Sequence, residues 1–146
     1  MAAPFSISLH ARWQDMDFNQ HMSNTAFLGV SGDCRMRFLA ERGFGPDEFR
    51  KRQIGPVIVE DRLVYKKELC LLEPFRVELA LAAATPDARK LKLRNSFFRE
   101  PDGALAAVVE SVALWFDLAA RKPVVPPADL AAAWLSLSRT DDFSPF

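Results

Sequence analysis

The stretch Asp15–Arg42, DMDFNQHMSNTAFLGVSGDCRMRFLAER, decides the fold because its character changes partway along. Its first part crowds carboxylates, carboxamides and a histidine into a polar loop. From Thr25 onward, apolar and small side chains recur every three or four residues, which predicts a helix over Thr25–Arg42 that is buried along one stripe. Asn24 or Thr25 is the expected N-cap and Gly43 the expected stop. The stripe consists of Phe27, Leu28, Ser31, Cys34, Phe38 and Leu39.

Two glycines stand inside the predicted helix. Gly29 and Gly32 each cost about 1 kcal/mol of helix stability relative to alanine. That cost is expected where another backbone or a ligand comes close to the helix. The sequence therefore predicts a close approach to the helix face that carries these two glycines.

Segments on both sides of the helix alternate apolar and polar residues, which predicts strands. One strand precedes the loop, and four follow the helix with turns that are too short for parallel crossovers. We therefore expect an α+β fold in which one long helix is wrapped by a five-stranded, mostly antiparallel sheet. The predicted strands are Phe5–Trp13, Pro56–Leu69, Phe75–Ala84, Lys90–Arg99 and Ala104–Phe116.

Length and composition limit the classes of protein to which the chain can belong. Its 146 residues are 49% hydrophobic and 26% charged, which is typical of one folded domain and too apolar for disorder. The 19 basic residues balance the 19 acidic ones, so no overall field favours nucleic acid or an acidic membrane as a partner. Neither a secretory signal nor a membrane span is predicted.

The two cysteines, Cys34 and Cys70, lie far apart, and no histidine stands near them at the spacing of zinc ligands. This pattern predicts a reducing, cytoplasmic location and no metal site. Cys34 is expected to be a small buried hydrophobe.

The chain is expected to divide into a main domain over residues 1–126 and a C-terminal extension over residues 127–146. The extension carries a short helical pattern, Ala128–Leu137. Because this helix has few turns and polar residues follow it, we expect the extension to pack on the surface or to fray.

Several motifs follow one another along the chain. Arg12 precedes the pair Asp15-Met16-Asp17, the segment His21-Met22-Ser23-Asn24 comes next, and Cys34-Arg35-Met36-Arg37-Phe38-Leu39 lies near the end of the helix. Val64-Tyr65-Lys66-Lys67 and the turn Pro101-Asp102-Gly103 come later. The series resembles the pattern of the hotdog-fold acyl-CoA thioesterases, specifically the 4-hydroxybenzoyl-CoA thioesterase-like group. The resemblance covers residues 5–126 and implies a thioester hydrolase that releases a free acid and coenzyme A.

The resemblance implies that Asp17, the second aspartate of the pair, acts as nucleophile or general base. Thioester hydrolysis also needs an oxyanion stabiliser, which the unpaired N–H groups at a helix N-terminus provide. The backbone amides of Ser23, Asn24 and Thr25 are expected to serve this purpose. An aspartate ahead of a helix is also a common turn former. Asp15 is expected to hold the loop geometry through hydrogen bonds to backbone N–H groups, although it is the rival for the catalytic position.

His21 and Asn24 complete the candidate catalytic set. His21 is either a general acid for the departing thiolate or a structural residue bonded to the backbone, and the second role is favoured because a thiolate leaves readily. Asn24 is an N-cap, a pocket residue or both. Ser23 replaces the first asparagine of the family's usual pair, and the small residues on the helix face imply a different acyl pocket.

Basic side chains on two later strands are candidates for binding the phosphates of coenzyme A, or else are solvated surface charges. No separate cofactor is predicted, because coenzyme A is part of the substrate. Glu60 and Asp61 are either surface carboxylates or partners of Asp17 across a subunit interface. The candidate phosphate ligands are Lys66, Lys67, Lys90, Lys92 and Arg94.

An exposed sheet edge is a liability for a lone domain, and hotdog proteins remove it by pairing edges in a dimer. The resemblance therefore implies a homodimer or homotetramer with active sites at the interface. Its substrate would be an acyl-CoA or acyl-carrier thioester. The alternative is a non-catalytic module of the same fold that binds such a thioester. A hotdog dehydratase is less favoured, because no histidine on a strand or helix has a suitably spaced acidic partner.

Overall fold

Five antiparallel strands carry the fold, in a computed structural model that describes residues 3–146. They are β1 Phe5–His10, β2 Ile54–Tyr65, β3 Pro74–Ala84, β4 Lys90–Arg99 and β5 Leu105–Asp117. Their order in the sheet is β1-β3-β4-β5-β2, and every neighbouring pair is antiparallel. One long helix, α1 Asn24–Glu41, packs against β1, β3 and β5. The predicted α+β architecture is therefore confirmed.

The apolar stripe of α1 faces the sheet, as its spacing predicts. Five of the six predicted stripe residues are buried, Leu28 is only partly buried, and Val30 joins the buried set. The sheet residues that meet this stripe alternate along β4, where Leu91, Leu93, Asn95 and Phe97 are buried. The period of two in the strands and the period near 3.6 in the helix therefore meet in one core.

The N-cap of α1 is Ser23, so the expected N-cap at Asn24 or Thr25 was wrong by one or two residues. Ser23 has extended backbone angles, and its N–H donates to the carbonyl of Asp15 at 2.8 Å. That bond holds Ser23 outside the helix and lets Asn24 begin it. At the other end Gly43 has a φ of 88°, the left-handed conformation expected of a helix stop.

The C-terminal extension belongs to the core, which corrects the expectation that it packs on the surface or frays. Helix α3, Ala128–Leu135, buries Trp134, whose ring lies 5.4 Å from that of Phe38 and 6.3 Å from that of Trp115. Strand β7, Arg139–Pro145, runs parallel to the end of β3 beyond the residues that pair with β1. The proposed boundary at residues 126 and 127 stays a prediction. Three further short elements were not predicted: a 3-10 helix at Trp13–Asp15, α2 Pro46–Arg52 and β6 Lys122–Pro123.

An ion-pair cluster fastens β7 to the face of the sheet that lies away from α1. The guanidinium of Arg94 contacts a carboxylate oxygen of Glu110 at 2.8 Å and one of Asp142 at 2.9 Å. Arg94 therefore joins β4, β5 and β7. A bidentate guanidinium between two carboxylates is one of the stronger polar contacts available to a protein.

Strand β2 forms an open edge of the sheet. It pairs with β5 on one side, and no other strand of residues 3–146 pairs with it on the other side. A bulge at Val59 shifts the register between Ile58 and Glu60. Val57 and Val59 expose 37% and 54% of their surface, so this edge offers both unpaired backbone groups and apolar side chains.

We expect Trp134→Ala to lower the free energy of unfolding by about 3 to 5 kcal/mol, because it leaves a cavity between two core aromatic rings. Urea denaturation at fixed protein concentration measures the change. Trp13→Ala is the matched control, since Trp13 is 80% exposed and its loss should change stability by less than about 0.5 kcal/mol. Equal effects of the two variants would contradict the placement of the extension in the core.

Candidate active site

Asp15 holds together the two ends of the loop that precedes α1. Its buried carboxylate accepts hydrogen bonds from Nε and Nη2 of Arg12, both at 2.9 Å, and from the backbone N–H of Arg12 at 3.2 Å. Its backbone carbonyl accepts the N–H of Ser23. The side-chain hydrogen bond from Arg12 lowers the pKa of Asp15, so this carboxyl group is charged and engaged. Asp15 thus has the structural role, which leaves Asp17 as the candidate for chemistry.

Asp17 opens a tight hairpin that closes at His21. The N–H of Asp17 donates to the carbonyl of His21 at 2.8 Å, and the N–H of Gln20 donates to the carbonyl of Asp17 at 3.0 Å. Gln20 has a φ of 63°, the left-handed conformation that lets so short a turn close. Oδ1 of Asp17 accepts the N–H of Asn19 at 2.8 Å and that of His21 at 3.2 Å. Among residues 3–146, Oδ2 accepts no hydrogen bond and lies on an exposed side chain.

Two backbone amides at the tip of α1 are available to a ligand. The sequence interpretation expected the N–H of Ser23 to be a third donor, which is wrong, because Ser23 donates its N–H to the carbonyl of Asp15. The N–H groups of Asn24 and Thr25 make no hydrogen bond with the part of the chain that the structure describes. They carry the positive end of the α1 dipole.

Asp17 and the helix tip line the same hollow, which we call the tip hollow. It has a volume of about 360 Å³ and is bounded by the hairpin, the start of α1 and the segment after β2. Its lining residues are Asp17, His21, Met22, Asn24, Phe27, Tyr65, Lys66, Lys67 and Glu68. All three candidate catalytic residues are therefore brought together in one site.

Tyr65 is a wall of the tip hollow for which sequence reasoning assigned no role. Its hydroxyl donates to the carbonyl of Asn24 at 3.3 Å, and its ring meets that of Phe27 edge-on at 5.6 Å. Tyr65 is the single tyrosine of the chain, and it stands just before the two lysines. That position was the signal that could have identified it.

The hairpin has a second hollow on its other side, which we call the loop hollow. It has a volume of about 810 Å³ and shares Asp17 and His21 with the tip hollow. The imidazole of His21 makes no hydrogen bond to the described residues, although its backbone bonds to Asp17 through both N–H and carbonyl. The remaining lining residues are Trp13, Gln14, Met16, Asn19, Gln20, Cys70 and Leu71.

The candidate phosphate ligands fall into two places. Lys66 and Lys67 line the tip hollow beside the catalytic candidates. Lys90, Lys92 and Arg94 lie on the face of β4 away from α1, because they alternate with the buried residues of that strand. There Arg94 is held by two carboxylates, and Nζ of Lys90 lies 4.4 Å from the centre of the Phe146 ring. The structure does not bring these three to the tip hollow.

Within residues 3–146, no three histidine, cysteine, aspartate or glutamate side chains converge as metal ligands would. None of the helices in this range is long and apolar enough to cross a membrane.

The Arg12–Asp15 contact makes stability depend on pH. Because the pKa of Asp15 is lower in the folded chain than its ordinary value, its contribution is present above about pH 4 and is lost as the pH falls through the folded-state pKa. We expect Asp15→Asn to lower the free energy of unfolding by about 1 to 3 kcal/mol at pH 7 and by less at pH 3. Asp33→Asn is the control, since Asp33 pairs with Arg37 on a half-exposed surface. Urea denaturation at both pH values tests this, and an Asp15→Asn effect of equal size at both would contradict it.

Comparison with solved structures relates this architecture to known proteins. A hypothetical protein of Staphylococcus aureus, solved in complex with CoA, superposes with a TM-score of 0.84 at 21% identity, covering 94% of this chain and 87% of that one. A 1,4-dihydroxy-2-naphthoyl-CoA thioesterase of Synechocystis has a TM-score of 0.82 at 13% identity, covering 92% and 98%. A probable thioesterase of Escherichia coli has a TM-score of 0.74 at 19% identity, covering 88% and 95%. At these identities the likeness establishes the fold, which is the hotdog fold implied by the sequence motifs.

Comparison by sequence gives the family. A search of curated proteins found no match. A family model, however, matches residues 11–134, from the loop that precedes α1 to Trp134 in helix α3. Since that range is most of the chain, the protein belongs to the thioesterase-like superfamily.

Proposed function

We propose that the protein is an acyl-CoA thioesterase that hydrolyses a thioester to a free acid and coenzyme A. The observation that carries the proposal is the tip hollow, which is lined both by Asp17 and by Asn24, the first residue of α1. Thioester hydrolysis needs an oxygen nucleophile on one side of the carbonyl group and hydrogen-bond donors for its oxygen. The two requirements are met by different parts of the same hollow.

The amides of Asn24 and Thr25 act as the oxyanion hole. They donate to the carbonyl oxygen as it gains negative charge, and one such donor contributes about 3 kcal/mol to lowering the barrier. Oδ2 of Asp17 either attacks the carbonyl carbon, giving an anhydride that water then hydrolyses, or removes a proton from an attacking water. Both routes break the carbon–sulfur bond and release the thiol and the acid.

The hydrogen bonds to Oδ1 of Asp17 orient its carboxylate for this task. The N–H groups of Asn19 and His21 hold one oxygen in place, so the other oxygen has a fixed direction. His21 contributes its backbone to this orientation. Its imidazole borders both hollows, from where it can also donate a proton to the departing thiolate.

Lys66 and Lys67 bind the phosphates of coenzyme A, because they are the cations that border the tip hollow. The Staphylococcus aureus structure solved in complex with CoA supports this choice of carrier at the level of the fold. An acyl group on a carrier protein presents the same thioester and pantetheine arm. Coenzyme A enters as part of the substrate, and the two free cysteines support a cytoplasmic location.

The active form is a homodimer, alone or as half of a tetramer, in which two β2 edges pair into one continuous sheet. The open edge and its exposed Val57 and Val59 support this assembly. In a closed two-fold dimer the two β2 strands run antiparallel. Each tip hollow, which includes Tyr65 at the end of β2, then lies at the interface.

The alternative is a binding module of the same fold without turnover. It is favoured by one observation, that Oδ1 of Asp17 already accepts two backbone N–H groups, as in an aspartate that only closes a turn. A panel of aliphatic and aromatic acyl-CoAs with a thiol-release assay separates the two functions. Binding without release of thiol from any member would favour the module.

We expect Asp17→Asn to lower kcat by at least a hundredfold on any thioester that the wild type hydrolyses. Asparagine keeps an oxygen acceptor for the N–H groups of Asn19 and His21, so the hairpin and the free energy of unfolding should change little. The carboxamide removes the charge and the basicity that the reaction needs. Steady-state thiol release measures the effect, with Asp33→Asn as a control for loss of one carboxylate near the same helix. Full activity of Asp17→Asn would remove Asp17 from the mechanism.

We expect light scattering at micromolar concentration to give a mass of at least twice the 16.4 kDa of the chain. Val59→Asp places a charge at the β2 edge and should shift the protein toward the monomer and lower its thioesterase activity at least tenfold. Val125→Asp is the control, since Val125 is also exposed but follows β6, which pairs with β5 and not with β2. A monomeric wild type would rule out the proposed assembly.

A further inference from the structure

A cavity of about 200 Å³ lies between α1 and β2, farther along the helix than the tip hollow. We call it the Arg35 cavity, because the guanidinium of Arg35 is the one charged group in its otherwise apolar lining. Gly32, Met36, Leu39, Ile58 and Trp134 are among its walls. An apolar space with one well-placed polar group is the usual form of a small-molecule site.

Arg35 is poorly paired for a partly buried arginine. Its Nη1 donates to Oγ of Ser111 at 3.3 Å, and the hydroxyl of Ser111 in turn donates to Oδ1 of Asp61 at 2.5 Å. Over residues 3–146 the guanidinium makes no other hydrogen bond, and no carboxylate lies within ion-pair distance. Arg94 and Arg99, by contrast, each contact a carboxylate at 2.9 Å or closer. Burial lowers the pKa of Arg35, as expected of a cation that has lost water without gaining a direct counter-ion.

The free side of the guanidinium points to the cavity. A Cβ built at Gly32 would lie 3.8 Å from Nη2 of Arg35, so the missing side chain at position 32 leaves open the space beside this donor. Asp61 is bonded to Ser111 rather than to Arg35, and the fork of donors on the cavity side is open to a second acceptor. The planar fork of an arginine matches a carboxylate with two parallel hydrogen bonds.

The direction of β2 determines which reaction centre the cavity serves in the proposed dimer. Helix α1 and β2 run in opposite directions, because Tyr65 at the end of β2 bonds to Asn24, whereas Pro56 and Ile58 near its start border the Arg35 cavity. When two β2 strands pair antiparallel, the start of one lies beside the end of the other. The cavity of one copy then faces the tip hollow of its partner.

We propose that the Arg35 cavity is the acyl-binding pocket for the reaction centre of the partner copy, and that Arg35 selects an acyl group that ends in a carboxylate. This inference rests on the proposed function and names its substrate class as short ω-carboxyacyl thioesters. About 200 Å³ holds roughly six or seven heavy atoms at about 30 Å³ each. Beyond its thioester carbonyl, a glutaryl group has three methylenes and a carboxylate, which is six heavy atoms.

The test compares glutaryl-CoA with its apolar isostere, in which an isopropyl group replaces the terminal carboxylate. We expect wild type to have a kcat/KM at least tenfold higher for glutaryl-CoA, and Arg35→Met to reverse this preference. Arg35→Lys should keep part of it, because lysine keeps the charge without the fork. Arg37→Met is the matched control, since Arg37 lies on the exposed side of α1 in an ion pair with Asp33 and should leave the preference unchanged.

The outcomes separate this inference from the proposed function. If thiol is released neither from these two compounds nor from any member of the wider panel, the proposed thioesterase activity itself is contradicted. Turnover with equal or reversed preference in wild type would contradict only the role of Arg35. An Arg35→Met variant that loses the same factor on both compounds would likewise show that Arg35 does not recognise the acyl end.

A heterodimer tests whether the cavity serves the partner copy. One chain carries Asp17→Asn and the other Arg35→Met, with different affinity tags for purification after co-expression. If each site combines Asp17 of one copy with Arg35 of the other, one of the two sites is intact, and about half of the wild-type rate on glutaryl-CoA returns. If both residues act within one copy, neither site is intact and the rate stays below a tenth of wild type, which would overturn the cross-subunit assignment.

Gly32→Leu gives a second variant that leaves the hydrogen bonds of Arg35 in place and fills the cavity. We expect it to lower kcat/KM for glutaryl-CoA at least tenfold, and by a clearly larger factor than for acetyl-CoA, whose acyl group is too short to fill the cavity. An equal loss on both substrates would place the acyl group elsewhere.

Discussion

The bidentate contact between Arg12 and Asp15 is the interaction on which the rest of the site depends. Asp15 uses its side chain to hold the end of the first strand and its carbonyl to hold the N-cap residue Ser23. The helix tip and the hairpin of Asp17 are thereby fixed relative to each other. The same carbonyl occupies the amide of Ser23, so the next two amides are the ones left for a ligand. One aspartate of the pair thus builds the site in which we propose that the other acts.

The sheet and the long helix could be predicted from sequence because each has a periodic signal. β4 has the predicted bounds, Lys90–Arg99, and its alternation of buried and half-buried residues is regular along nearly its whole length. The C-terminal extension could not be placed in this way, since its position depends on contacts between distant residues. Arg94 and Asp142 are 48 residues apart in sequence, and Trp134 meets the rings of Phe38 and Trp115 from elsewhere in the chain. The sequence of a short helix with little periodicity does not indicate which distant residues the helix contacts.

The residues of the candidate site likewise differ in whether the sequence alone could identify them. Asp17, His21 and Asn24 lie within one short stretch, so a local motif was enough to name them. The Arg35 cavity is different, because the partner of Arg35 is Ser111, 76 residues later, and Ser111 bonds to Asp61, 50 residues earlier. Gly32 is the one local sign of this cavity, since its cost to the helix predicted a neighbour on that face and Nη2 of Arg35 lies beside it. The same prediction was wrong for Gly29, because no described atom lies within 4 Å of a Cβ built there. The basic residues of β4 are a case in which a local pattern was misleading. Their alternation predicts that they share one face of the strand, but it does not predict that Glu110 and Asp142 already pair with Arg94 on that face.

The proposed function requires Asp17 and the tip of α1 to act on one thioester carbonyl. The most direct test is a crystal structure of the protein with an acyl-CoA analogue in which a methylene replaces the thioester sulfur. We expect the carbonyl oxygen about 2.7 to 3.1 Å from the backbone nitrogen of Asn24 or Thr25. We also expect a carboxylate oxygen of Asp17 about 3 to 3.5 Å from the carbonyl carbon, or from a water that is placed to attack it. A bound analogue whose carbonyl lies outside the tip hollow, away from both groups, would contradict it.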